Sequence, residues 1–304
     1  MPRCALILAL VTALALITGC SVRGLAVDTI GDMLTSDESV FTADEDVELI
    51  GEALPFSIKL VESLLAESPR HRGLLLTATR SYVLYANAYV HYPAERAETE
   101  DIARARRLRA RARKFYLRAY GYALRGLELR RPGISQAITQ APGETLSCFD
   151  CAAPEDVPFL YWGAAAIGLA ISVSKDDPAM LARLPEVEAM LEHALKLDED
   201  YDEGALHEFA LIWAAAVPGR RDQGAMDRHY ARALELSGGR RASLFVAYAM
   251  AVAVPAQNRA QFRTLLDKAL AVDAEAVPNK RLLVAIAQRR ARWLLGRIDE
   301  LFLE

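Results

Sequence analysis

The stretch AMLEHALKLDEDYDEGALHEFALIW, residues 189–213, carries the pattern from which the fold is read. Val187, Leu191, Ala194 and Leu195 recur at three- and four-residue steps, so they share one face of a helix. The polar run DEDYD at 198–202 interrupts it. Leu206, Phe209, Ala210 and Trp213 then share one face of a second helix. So short a linker predicts antiparallel helices, each with one apolar face for a neighbour to cover.

The same text returns along the chain. ALKLD at 194–198 reappears as ALELS at 233–237 and as ALAVD at 269–273, at offsets of 39 and 36 residues. ALRGLE at 123–128 lies 71 residues upstream of Ala194. A helix-pair repeat of roughly this length is the mark of tetratricopeptide (TPR) arrays, where a small residue on the second helix allows close approach. The full W-L-G-Y pattern of such repeats is absent from every copy. Pairs are predicted at 179–197 with 203–217, 223–236 with 241–254, and 259–272 with 279–303, the last helix long enough to cap the array. Upstream, helices are predicted at 55–67, 73–92 and 95–129, closed by Pro69, Pro93 and Pro132-Gly133. No segment alternates with period two. The expected fold is all-α: a TPR-like array of antiparallel helix pairs, an α-solenoid, over residues 46–304, with a loop insertion at about 130–157.

The N-terminus has its own pattern. Arg3 precedes an apolar run at 5–17 broken only by Thr12. That is shorter than the ~20 residues a spanning helix needs, and it reads as a secretory signal over residues 1–19. Ile17-Thr-Gly-Cys20 resembles a bacterial lipobox, which makes Cys20 the expected lipidation site and residues 20–45 a lipid-anchored tether. The other reading is an ordinary secreted protein with an incidental cysteine. Ser21, in place of Asp, resembles an outer-membrane address, on the periplasmic side.

Apolar residues make up 53% of the chain and the net charge is −4, so no global charge draws it to nucleic acid or anionic lipid. A basic helix over about 102–122 carries Arg104, Arg106, Arg107, Arg109, Arg111, Arg113, Lys114 and Arg118. It reads as a solvated amphipathic face, or as the docking face for an acidic protein, and no nucleic acid is expected. Cys148 and Cys151 lack the strand–helix context of a redox motif and the second pair of a zinc site. They are expected as a local disulfide or as free thiols. His207-Glu208 begins a zinc-protease motif, but Leu211 stands where the second histidine is required. With no phosphate loop and no G-x-S-x-G elbow, no metal, no cofactor and no enzymatic activity are expected. In TPR-like arrays the first helix of each pair lines a concave groove. Tyr82, Tyr85, Tyr89, Trp162, His207, Glu208, Trp213 and Tyr248 are the candidates for a ligand or partner groove, although most are expected in the core.

Several phrases in order resemble one family. They are LLAESP at 64–69 before a Tyr-rich helix, FYLRA at 115–119 leading to GYALRGLE at 121–128, and DVPFLYW at 156–162. SKDD at 174–177, GALHEF at 204–209, ELSGG at 235–239 and AQRRARWLL at 287–295 complete the set. Together they are similar to the T-component (TatT-like) lipoproteins of tripartite ATP-independent periplasmic (TRAP) transporters, over about residues 50 to 303. The resemblance implies a periplasmic accessory of solute uptake. Such a protein docks the TRAP substrate-binding protein and offers a groove or pore to a small organic ligand, with no catalysis. A homo-oligomer, as a trimer, is also expected. The alternative is a TPR lipoprotein scaffold for outer-membrane or envelope assembly. Cys148 and Cys151 do not belong to the family pattern.

Overall fold

The computed structural model describes residues 40–140, 153–217, 219 and 221–303, which form helices with no strand among them. Cys20, Cys148, Cys151 and the leader lie outside the described residues. Helix α1 (Val47–Glu67) starts at Asp46, whose carboxylate accepts the Leu49 N–H at 2.9 Å. The start expected at Pro55 is therefore corrected, and Pro55 lies inside the helix. Helix α2 (Arg72–Ala86) does not end at Pro93 as expected. A π-turn, Asn87–His91, carries it into a last segment, Tyr92–Ala97. A proline normally clashes with the carbonyl four residues back. The wider π register moves that carbonyl aside, and the Tyr92 N–H bonds to the Asn87 carbonyl instead.

Helix α3 (Ile102–Glu128) starts later than residue 95, because the Asp101 carboxylate caps it by accepting the Arg104 N–H at 2.8 Å. Part of the expected loop insertion is helix α4 (Ile134–Gln140), which buries Ile134 and Ile138 in the main core. Then follow α5 (Val157–Ser172), α6 (Leu184–Leu197), α7 (Tyr201–Ala216) and α8 (Gln223–Ser237). Helix α9 (Ala242–Tyr248) runs into a second π-turn, Ala249–Ala253. The chain ends with α10 (Arg259–Leu270), α11 (Arg281–Leu295) and a single turn, Ile298–Leu301. The long final helix expected over 279–303 is thus broken after Leu295, with Gly296 as its cap.

Helix α3 packs closely on both α2 and α5, and the close pairs that follow are α5 with α6, α7 with α8 and α9 with α10. The pairing expected across 198–202, α6 with α7, is corrected: these two belong to successive pairs. The repeated phrase explains why. Its first alanine occurs as Ala123, Ala194, Ala233 and Ala269, and each is fully buried where one helix packs on another. Ala233 of α8 sits so close to α7 that a Cβ at Gly204 would lie 2.9 Å from its Cα. Likewise a Cβ at Gly163 of α5 would lie 3.1 Å from the Ala123 Cβ. Between these close approaches sit fully buried large side chains, including Tyr116, Phe159 and Phe262. Each such burial contributes about 1.5–3 kcal/mol.

The array closes on itself. Leu282 of α11 packs in one cluster with Val47, Ile50 and Leu54 of α1. Arg290 reaches back to Glu95 at 2.6 Å and lies 4.0 Å over the Tyr92 ring. Arg289 pairs with Glu48 at 2.5 Å. Instead of capping an open solenoid, α11 joins its end to its beginning.

Candidate functional site

At the centre of the ring lies a cavity of about 1670 Å³ that opens to solvent. Helices α2, α5, α7 and α9 line it, with the first half of α3 at one end and α11 at the seam. Among the described residues α6, α8 and α10 contribute nothing to its wall. The chain has three tryptophans, Trp162, Trp213 and Trp293, and all three line this space. Tyr161, Phe209, Val246 and Met250 add apolar surface between them. Ligand pockets commonly run from about 300 to 1,000 Å³, so an organic molecule fits here with water beside it.

The N-terminal ends of the inner helices carry a paired charge network. The Arg241 Nε donates to Glu208 Oε2 at 2.5 Å, and its Nη atoms donate to the Asp202 carbonyl at 3.0 Å and to Oδ2 at 3.1 Å. Ser243 Oγ donates to the same Glu208 oxygen at 3.0 Å. Lys280 Nζ reaches Asp202 Oδ1 at 2.8 Å and Glu203 Oε2 at 3.3 Å. Burial works against both Arg241 and Asp202 in their charged forms, but each outweighs it for the other. Arg241 is held above its usual range by Glu208 and Asp202, and Asp202 below its usual range by Arg241 and Lys280.

The backbone here is strained. Asp202, Glu203 and Gly204 are consecutive left-handed residues, with φ of 47°, 55° and 89°. For a residue with a side chain this costs on the order of 1–3 kcal/mol, and it persists only where surroundings over-determine it. Arg241 and Lys280 do so by holding the Asp202 carbonyl and both carboxylates on the cavity wall.

The other end of the cavity is basic. Arg106, Arg109, Arg113 and Lys114 of α3 line it together with Lys175, which follows α5. Two of these are paired: Arg109 with Glu98 at 2.5 Å and Arg113 with Asp177 at 2.7 Å. Arg290 and Arg297 of the last turns flank Trp293, at 5.9 and 4.8 Å from its ring.

Of the residues singled out from the sequence, the structure brings Trp162, Glu208 and Trp213 together on this wall. His207 points elsewhere, because successive positions of a helix diverge by about 100°. Its Nδ1 lies 2.9 Å from Nδ1 of His229 on α8. Burial holds both imidazoles below the usual histidine range. Tyr82 and Tyr85 turn to α1 and α3: the Tyr82 hydroxyl donates to Glu62 at 2.8 Å, and Phe115 packs on both rings. Tyr248 stacks on Tyr230 at 4.0 Å and donates to Asp227 at 2.6 Å. Tyr89 lines a second cavity of about 340 Å³ at the seam, where its hydroxyl donates to the Val47 carbonyl at 2.9 Å. Burial pushes its pKa up to about 12. Gly51 is needed there, since a Cβ would lie 2.5 Å from the Tyr89 ring.

Tyr161, Phe209, Arg241, Lys280 and Trp293 were missed by sequence reading. A signal for two of them was available: Phe209 and Trp213 share one helix face, and Tyr161 adjoins Trp162. Among the described residues no group of three or more His, Cys, Asp or Glu is placed to hold a metal ion, and no helix is long and apolar enough to cross a membrane.

Two comparisons bear on this architecture. Residues 43–302 match the family described as TRAP transporter T-component. An uncharacterized protein of Treponema pallidum (strain Nichols) is 32% identical over 306 residues, covering 95% of either chain.

Proposed function

The chain belongs to the TRAP transporter T-component family, an accessory family of transport, and from that premise we propose how this member serves solute uptake. It docks the soluble substrate-binding protein of a TRAP system and admits a small organic ligand to its central cavity. Lipidation at Cys20 holds it on the periplasmic face of the outer membrane. The observation that supports this reading is the ring of helices, whose central cavity carries all three tryptophans.

The test is capture from periplasmic extract on the immobilised mature chain. Recovery of a TRAP substrate-binding protein is the expected result. Recovery of outer-membrane assembly proteins alone would overturn it. Ligand entry is read from tryptophan emission, since no tryptophan lies elsewhere to dilute the signal.

A further inference from the structure

We infer that the basic rim formed by the start of α3 and by Lys175 is the surface on which an acidic face of the substrate-binding protein docks; this rests on the function proposed above. Four cations carry the inference. Arg106, Arg107, Lys114 and Lys175 are exposed and have no ionic partner among the described residues. Arg106, Lys114 and Lys175 border the cavity, and Arg107 lies beside them on α3. The chain as a whole is acidic, at −4, so this is a local reversal of sign.

The neighbouring cations are used differently. Glu98 and Asp177 hold Arg109 and Arg113, and those pairs fix the face of α3 on which the unpaired cations stand. The free charges are therefore presented on a rigid element.

The spread of the charges fits an extended occupant. Arg106 and Lys114 are eight residues apart on one helix, about 12 Å at 1.5 Å per residue. With Arg107 and Lys175 beside them, the cations spread over more than two helical turns, a span that several carboxylates of one protein surface meet together. The occupant is an extended acidic surface. Ile102, half exposed at 50%, and the exposed Ala103 and Ala110 supply apolar floor between the charges, as at a protein interface. Glu100, Asp101 and Asp176 stand in the same patch. Interspersed acids penalise a uniformly anionic bilayer and favour a partner whose charges match the pattern.

Binding of the full mature chain to the cognate TRAP substrate-binding protein, measured by surface plasmon resonance, tests this. The wild type is expected to lose about tenfold in affinity between 50 and 300 mM NaCl, chiefly in association rate. The variant R106E/R107E/K114E/K175E is expected to weaken binding about 30-fold, and the neutral R106Q/R107Q/K114Q/K175Q about tenfold. R263E/K268E on the outer helix α10 serves as control and is expected to bind within about twofold of wild type. Circular dichroism and Tm establish that each variant folds. Unchanged binding by the folded reversal variant overturns the inference while leaving the proposed function intact. Binding of wild type to phosphatidylglycerol vesicles that the reversal abolishes, with protein binding untouched, overturns it in favour of a membrane. No binding by wild type removes the proposed function, and this inference with it.

Discussion

Cations stand at both ends of the central cavity and serve different ends. At the N-terminal ends of α7, α9 and α11, Arg241 and Lys280 are sunk among Asp202, Glu203 and Glu208. At the other end Arg106, Arg107, Lys114 and Lys175 stand in solvent without ionic partners among the described residues. The first set holds strained backbone and three inner helices in register. The second adds almost nothing to the fold. Buried charge is committed to its neighbours, whereas free charge on a rigid helix is available to an outside surface.

Removing a buried cation breaks the comparison most sharply. Arg241→Ala leaves Glu208 and Asp202 without their main partner, and the expected loss is about 3–5 kcal/mol in urea unfolding. A loss below about 1 kcal/mol would place Arg241 with the surface pairs. Gly204→Ala comes next. It adds a Cβ at a φ of 89° and 2.9 Å from the Ala233 Cα, so about 1–3 kcal/mol is expected. Wild-type stability here would mean that α7 and α8 have room to part.

Acid sharpens the contrast further. Burial holds His91, His207 and His229 below the usual histidine range. Unfolded, they titrate near about 6.5 and take up protons the folded chain refuses. Stability is therefore fully present above that pH and is lost as pH falls through it toward the lower folded values. Calorimetric Tm should drop between pH 7.5 and 5, and less steeply in His207→Gln with His229→Gln. A flat profile would refute the assignment. The smallest expected effect belongs to the basic rim, where R106E/R107E/K114E/K175E should shift stability by no more than about 0.5 kcal/mol per site. A larger loss would show those side chains to be structural.

The helices were legible because their apolar spacing is a local property. The repeated alanines of 123, 194, 233 and 269 marked where helices approach, and all four are fully buried. What sequence reading misjudged depended on partners distant in the chain. Pro93 looked like a stop because the π-turn before it leaves no mark in composition. The start of α1 was missed because Pro55 outweighed the Asp46 cap. Tyr82, Tyr85 and Tyr89 were legible as candidates, but which neighbour each faced depended on how α1 and α3 flank α2. Adjacent residues split for the same reason: Glu208 enters the cavity and His207 meets α8. Arg241 and Lys280 lie 39 and 78 residues beyond the Asp202 they hold, and no local pattern announces them.

The contact of α11 with α1 and α2 has a consequence for how the molecule comes apart. A linear repeat array frays: its terminal units melt first, and its stability grows roughly one repeat at a time. Here Leu282 among Val47, Ile50 and Leu54, with Arg290 on Glu95, leaves no terminal unit to melt. Amide exchange in the first and last helices should then match that of the middle ones. Losing or gaining a single repeat would break the circle instead of shortening a rod, which ties the number of helix pairs to the existence of the central cavity.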